Sequence, residues 1–402
     1  MNPYLAQLQP YPFEKLRHLT ADISPPANLA PISLGLGEPQ HPTPTLINDA
    51  LIANLSGLAH YPATNGSMAL RQTIADWLMQ RYHLPMIDAQ TQVLPVNGSR
   101  EALFSFAQII IDPHRHHLPA QVLCPNPFYQ IYEGAALLAG AQAIFANSDP
   151  QHHFIPNLAT IQTKHWSQIQ LMYVCSPGNP SGAVLTLDDW REIFDLSEHY
   201  GFVIAADECY SEIYFDEAHP PLGALQAAHQ LGRSFERLMV FSSLSKRSNV
   251  PGMRSGFVAG DANLIKAFLQ YRTYHGCAMS PTVQAASIAA WQDENHVRDN
   301  RKQYREKFAA VLPLLTDHLD VTLPDAGFYL WANVSKTGLT DTAFARQLLA
   351  QCNVTVLPGS YLARAAHGIN PGEGYIRLAL VAHTDACIEG AQRIAAFCKN
   401  LA

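Results

Sequence analysis

Lys246 lies in Ser243-Leu-Ser-Lys-Arg247, just beyond the apolar run Leu238-Met239-Val240-Phe241. Such a run reads as a buried strand, which puts the lysine at the mouth of a sheet. An amine in that position can form a Schiff base with an aldehyde. Eight residues further on, past the Pro251-Gly252 turn, stands Arg254. A guanidinium together with the Ser243 hydroxyl can hold a phosphate. A ligand carrying both an aldehyde and a phosphate would satisfy the whole stretch.

Four upstream segments repeat the arrangement of polar residues directly after an apolar run. Val93–Val96 leads into Asn97-Gly98-Ser99-Arg100-Glu101 and then a helical pattern. Free N–H groups at a helix start, with Gly98 allowing close approach, form a phosphate cradle. An ordinary N-cap at Ser99 is the plainer reading. Val122–Cys124 leads into Pro125-Asn-Pro-Phe-Tyr129, whose aromatics could stack on a flat ring or pack in the core. Leu171–Cys175 leads into Ser176-Pro-Gly-Asn179-Pro-Ser-Gly182, where turn chemistry accounts for nearly every residue. Phe202–Ala206 leads into Asp207-Glu-Cys-Tyr210. A carboxylate there is costly to bury without a partner. A protonated pyridine nitrogen would be such a partner; capping the next helix is the alternative.

Something must bring these strand ends together. From about residue 45 to 285, short apolar strands alternate with amphipathic helices, the pattern of an α/β fold with a doubly wound, mainly parallel sheet. Ligands of such sheets bind beyond the carboxyl ends of the strands. Residues 286–402 read as a smaller α+β domain, with strand-like segments near 328–333, 354–357 and 375–380. Residues 1–44 are proline-rich and read as an arm that also contributes to the smaller domain.

Taken in order, these segments resemble the class I and II aminotransferases, which have fold type I of the pyridoxal-phosphate-dependent transferases. The resemblance covers essentially the whole chain. It implies pyridoxal 5′-phosphate as cofactor, with Lys246 as its Schiff-base lysine. Gly98, Ser99, Arg100, Ser243 and Arg254 fall on the phosphate-binding positions, and Tyr129 on the ring-stacking one. Asn179 inherits the hydrogen bond to the pyridine O3′, which Tyr210 also reaches, and Asp207 pairs with the ring nitrogen. Tyr375-Ile-Arg377-Leu-Ala379 resembles the segment whose arginine grips the substrate α-carboxylate, and the loop Leu34-Gly-Leu-Gly37-Glu-Pro39 resembles the one that closes over it. Tyr61 matches a tyrosine that reaches the phosphate of a neighbouring subunit, which implies a homodimer with shared active sites.

The bulk properties agree with such an enzyme. Only 15% of the 402 residues are charged and nearly half are apolar, which suits a compact globular chain. A net charge of −7 gives no basic field for nucleic acid. No apolar run approaches the length of a membrane span, and the first residues lack the pattern of a signal peptide. The seven cysteines are scattered without zinc spacing, the usage of a reduced, cytoplasmic protein. A GxGxxG loop is absent, which argues against a dinucleotide fold. His114-Arg-His116-His117 is the one histidine cluster, and it reads as an exposed loop with no metal bound.

Substrate is written less plainly. Leu8-Gln-Pro-Tyr-Pro-Phe-Glu-Lys-Leu16 and Asn97-Gly-Ser-Arg-Glu-Ala-Leu-Phe104 are similar to bacterial succinyldiaminopimelate transaminases of lysine biosynthesis. The resemblance implies transfer between N-succinyl-LL-2,6-diaminopimelate and 2-oxoglutarate. Both amino acid and keto acid carry carboxylates remote from the reacting carbon, so a second cation is expected. Arg100 is the candidate, with a solvated or phosphate-facing helix arginine as the alternative; Arg17 and Arg272 are weaker choices. An aspartate-, aromatic- or alanine-type aminotransferase, or a carbon–sulfur lyase on the same scaffold, remains open. A cofactor-sensing regulator is disfavoured because the short proline-rich start leaves no room for a basic helix-turn-helix domain.

Overall fold

A computed structural model describes residues 1–115 and 118–401. His116 and His117, two of the three histidines of that cluster, lie outside the described residues. Twelve strands are present among those described: β1 (Ile32–Ser33), β2 (Val93–Val96), β3 (Gln121–Asn126), β4 (Gln142–Asn147), β5 (Ile169–Cys175), β6 (Val203–Asp207), β7 (Leu238–Ser243), β8 (Gly256–Gly260), β9 (Tyr329–Asn333), β10 (Val354–Thr355), β11 (Leu357–Pro358) and β12 (Tyr375–Ala379). Seven of them form one sheet in the order β2-β8-β7-β6-β5-β3-β4. Strands β4, β3, β5, β6 and β7 pair in parallel, and β8 runs against both of its neighbours.

Successive side chains of a strand point to opposite faces, and here both faces are covered. In β5, Leu171 and Tyr173 enter one apolar cluster while Met172 and Val174 enter the other. In β7, Met239 and Phe241 go one way and Leu238 and Val240 the other. This is why these strands read as unbroken apolar runs in the sequence. The covering helices have locally encoded starts. Ser67 accepts from Leu70 N at the head of Met68–Tyr82, and Thr186 and Asp189 close a capping box on Leu187–Tyr200.

A third cluster joins the two ends of the chain. Ile32 and Leu34 pack with Phe308, Val311, Phe344, Leu378 and Ile394, and β1 pairs in parallel with β10. β12 lies between β11 and β9 in a separate antiparallel sheet. The consequence for function is positional. The segment after β1 emerges beside β12, so the Gly35–Glu38 loop and Arg377 are brought to one place from opposite ends of the sequence. Among the described residues, no helix is long and apolar enough to cross a membrane, and no group of three His, Cys, Asp or Glu side chains is placed to hold a metal ion.

Candidate active site

Because β2, β3, β5, β6 and β7 share a direction, their carboxyl ends meet along one edge of the sheet. Beyond that edge lies a cavity of about 490 Å³. Ser99, Arg100, Tyr129, Asn179, Asp207, Tyr210, Ser243, Lys246, Arg254, Gly37 and Arg377 all line it. Gly98 does not line it but directly precedes Ser99, which does. Tyr61 does not line it and is fully exposed.

Asp207 ends β6 and is only 4% exposed. Tyr132 donates its hydroxyl to Oδ2 at 2.7 Å, and the Cys209 backbone N–H donates to Oδ1 at 3.2 Å. Burial pushes its pKa upward despite these bonds. No helix follows for it to cap, since the next residues form turns. Lys246 sits in the short helical turn Leu244–Arg247, directly after β7. Its Nζ donates to the Gly37 carbonyl at 2.9 Å, and burial lowers its pKa to about 8. A carboxylate held toward its neutral form and an amine held toward its own therefore face one cavity. Neither makes an ion pair among the described residues, and burial outweighs the opposite charges nearby, Lys246 for Asp207 and Glu38 for Lys246.

The helix over Ser99–Ile110 begins one residue earlier than an N-cap at Ser99 requires. Gly98 is the cap and makes no side-chain bond to the first turn, with φ at +89°. A Cβ on Gly98 would clash with Arg254 Nη2, so the group that approaches this glycine closely is the Arg254 guanidinium. Arg254 itself has φ at +54°, a strained value for a residue with a Cβ. Among the described residues its guanidinium is bonded only to the Pro251 carbonyl, at 2.9 Å. Ser99 and Ser243 are joined through Cys209, whose Sγ lies 2.8 Å and 3.9 Å from their hydroxyls. Helix-start N–H groups, two hydroxyls and a guanidinium without a carboxylate partner make a fitting cradle for a phosphate.

Arg377, in the middle of β12, is 3% exposed. Nη1 donates to Asn179 Oδ1 at 3.0 Å and Nη2 to the Gly35 carbonyl at 2.8 Å, while Nε is buried without a partner. Among the described residues no carboxylate pairs with it. The guanidinium stacks 4.3 Å from the ring centre of Tyr329, whose hydroxyl lies 3.0 Å from that of Tyr210. A Cβ on Gly37 would fall 2.0 Å from the same Tyr329 hydroxyl. Arg100 donates its Nε to the Tyr129 hydroxyl and faces the cavity. Arg272 is different: it is fully buried and forks onto Glu101 at 2.8 and 2.9 Å, so it is not free to read a substrate. Arg17 is exposed and outside the cavity.

Several members of the site carried no sequence signal. Tyr329 sits in an apolar strand, where tyrosine ordinarily packs. Tyr132 was visible three residues after Tyr129, but nothing local paired it with Asp207. Tyr11 and Phe13 also line the cavity, from the amino-terminal segment.

A sequence model of one family, aminotransferase class I and II, matches residues 30–393. The chain belongs to that family. Its members use pyridoxal 5′-phosphate, and that is the cofactor of this aminotransferase. The donor set described above fits that cofactor: an aldehyde for Lys246, a ring nitrogen for Asp207 and a phosphate for the cradle.

The chain is 31% identical over 394 residues to the LL-diaminopimelate aminotransferase of Maridesulfovibrio salexigens, covering 97% of each. It is 54% identical to an aminotransferase from Neisseria meningitidis of solved structure, with a TM-score of 0.95 over 99% of this chain and 100% of that one. A probable N-succinyldiaminopimelate aminotransferase from Thermus thermophilus has the same fold, with a TM-score of 0.83 at 23% identity over 96% and 99%.

Proposed function

We propose that this aminotransferase moves the amino group of N-succinyl-LL-2,6-diaminopimelate to 2-oxoglutarate in lysine biosynthesis. The observation that carries the reading is that Arg100 lines the same cavity as Arg377, in addition to Lys246 and Arg254, which the cofactor would take. Donor and acceptor would each present one carboxylate next to the reacting carbon and another remote from it. Arg377 would take the first by a two-pronged bond and Arg100 the second. The unacylated LL-2,6-diaminopimelate is the second reading, favoured by the relatives that bear that substrate in their names.

When bound, pyridoxal phosphate supplies an electron sink that lets the substrate's Cα–H bond ionise. Lys246 would hold its aldehyde carbon. Ser99, Ser243 and Arg254, around Gly98, would hold the phosphate. Tyr129 would cover the ring, Asn179 and Tyr210 would take O3′, and Asp207 the ring nitrogen. The lowered pKa of Lys246 suits a group that accepts and returns a proton near neutral pH. Arg377, locked by Asn179 and Gly35, fixes how the substrate carboxylate enters and so which bond faces the cofactor.

The proposed assembly is a homodimer with shared sites. Its support is an exposed apolar strip: Ile52, Leu55, Leu58, Tyr61 and Met68 are all at least half exposed or nearly so. Tyr61, free on its own molecule, would complete the phosphate site of a second copy.

Steady-state kinetics with 2-oxoglutarate test the substrate assignment, comparing N-succinyl-LL-2,6-diaminopimelate, LL-2,6-diaminopimelate, aspartate, phenylalanine and alanine as donors. The succinylated donor should have the highest kcat/KM. A higher value for the unacylated form would select the second reading, and a higher value for any of the other three would discard both.

A further inference from the structure

The segment from Gly35 to Thr43 is tied down at four points. Two are in the active site: the Gly35 carbonyl accepts from Arg377 Nη2 and the Gly37 carbonyl from Lys246 Nζ. Lys246 Nζ is the group proposed to engage the cofactor, so the tie to Gly37 is expendable. The other two lie behind the site. Thr43 Oγ1 donates to the Asn249 carbonyl at 3.3 Å. His41, 8% exposed, has Nδ1 2.7 Å from Asn300 Oδ1 and Nε2 2.7 Å from Lys307 Nζ.

Asn300, 1% exposed on the helix Asn295–Leu315, is the junction. Its Oδ1 also accepts from Asn249 Nδ2 at 3.1 Å, and its Nδ2 donates to the Lys246 backbone carbonyl at 3.2 Å. The Lys307 ammonium can only donate, which makes His41 Nε2 an acceptor and leaves Nδ1–H to donate to Asn300. The bonds therefore run in one direction: Lys307 to His41, His41 to Asn300, Asn300 to the carbonyl of Lys246. A buried and satisfied polar chain of this kind specifies one geometry.

We propose that Asn300 is a positioning residue for Lys246, and that His41 is the fixed post that registers the Gly35–His41 loop to that lysine. When Lys246 Nζ leaves Gly37 for the cofactor, the loop keeps its place through His41. Loop and lysine then share one reference, the Asn300 side chain. The proposal rests on Lys246 being the cofactor's lysine.

The test uses holoenzyme and reads the pH midpoint of the cofactor's visible absorbance, which reports the environment of the lysine that holds it. Asn300→Ala should move that midpoint by about 0.5 pH units or more, the size of one buried hydrogen bond. His41→Ala should move it in the same direction, and the double variant no further than Asn300→Ala alone, because the two act in series. Amide hydrogen exchange over residues 35–41 should accelerate by about fivefold in both single variants. Should Asn300→Ala fold poorly, Asn300→Asp keeps the acceptor for His41 and trades the donor to Lys246 for a second oxygen and an ionisable group, so it is read below the carboxyl's pKa as well as above it. It should move the midpoint without loosening the loop. A lowered Tm with the midpoint unmoved in these variants would overturn the proposal, and so would fully additive shifts. A Lys246→Ala variant that kept the wild-type absorbance band would overturn the assignment of Lys246 as well.

Discussion

Arg377 donates to the Asn179 side chain, Nη1 to Oδ1, at 3.0 Å. The bond joins the residue proposed for the substrate carboxylate to the one proposed for the cofactor O3′. Under that proposal, a carboxylate arriving at Arg377 would perturb the cofactor's hydrogen bonding through a single side chain. The Nε of Arg377 is buried and has no partner among the described residues.

Replacing Arg377 by Lys keeps the charge but loses the fork and the bond to Asn179. kcat/KM for any α-amino acid donor should fall roughly 10- to 100-fold, the worth of a charge-assisted pair, mostly through KM. Tm should fall only modestly, by about the worth of the one hydrogen bond to Asn179 that is lost. An unchanged KM would remove Arg377 from the carboxylate site.

Arg100→Ala separates substrates. KM for dicarboxylic donors should rise by about tenfold or more, and KM for alanine should stay within about twofold. Equal rises for both would place Arg100 on the phosphate or in solvent.

Glu208 offers a pH prediction away from the chemistry. It is buried beside Asp207, accepts from Tyr82 at 2.7 Å and the Ala224 N–H at 2.6 Å, and burial lifts its pKa to about 7. A folded-state pKa above the unfolded one means that its stabilising contribution is complete below about pH 4.5 and is lost as pH rises through about 7. Glu208→Gln should therefore shrink the fall in Tm between about pH 5 and pH 8. Thermal melts of both proteins across that range check it; parallel pH profiles would contradict it.

Tyr61→Phe tests the shared site. Cofactor affinity should drop by about tenfold through the loss of one hydrogen bond to phosphate, while sedimentation still finds a dimer. An unaltered affinity would detach Tyr61 from the phosphate.

Much of the site was legible because a parallel sheet buried on both faces leaves its strand ends as the only places for polar residues. Asn179, Asp207 and Lys246 each follow such a run, so their convergence followed from the strand pattern. Features set by distant partners were not legible. The fate of Arg272 depended on Glu101, 171 residues away, and Asn300 meets His41 across 259 residues. Tyr329 looked like core and is core on one side, with its hydroxyl in the cavity. The helix starts at Ser99 as the sequence pattern has it, but its cap is Gly98, because the close packing of Arg254 leaves no room there for a side chain.

The most direct test of the substrate assignment is a half-reaction. Holoenzyme is mixed with N-succinyl-LL-2,6-diaminopimelate in the absence of any keto acid, and the cofactor absorbance is followed through a single turnover. Conversion to the amine form much faster than with LL-2,6-diaminopimelate, aspartate, alanine or phenylalanine is the expected result. No conversion with the succinylated donor, alongside rapid conversion with one of the others, would leave the aminotransferase chemistry standing and contradict the substrate.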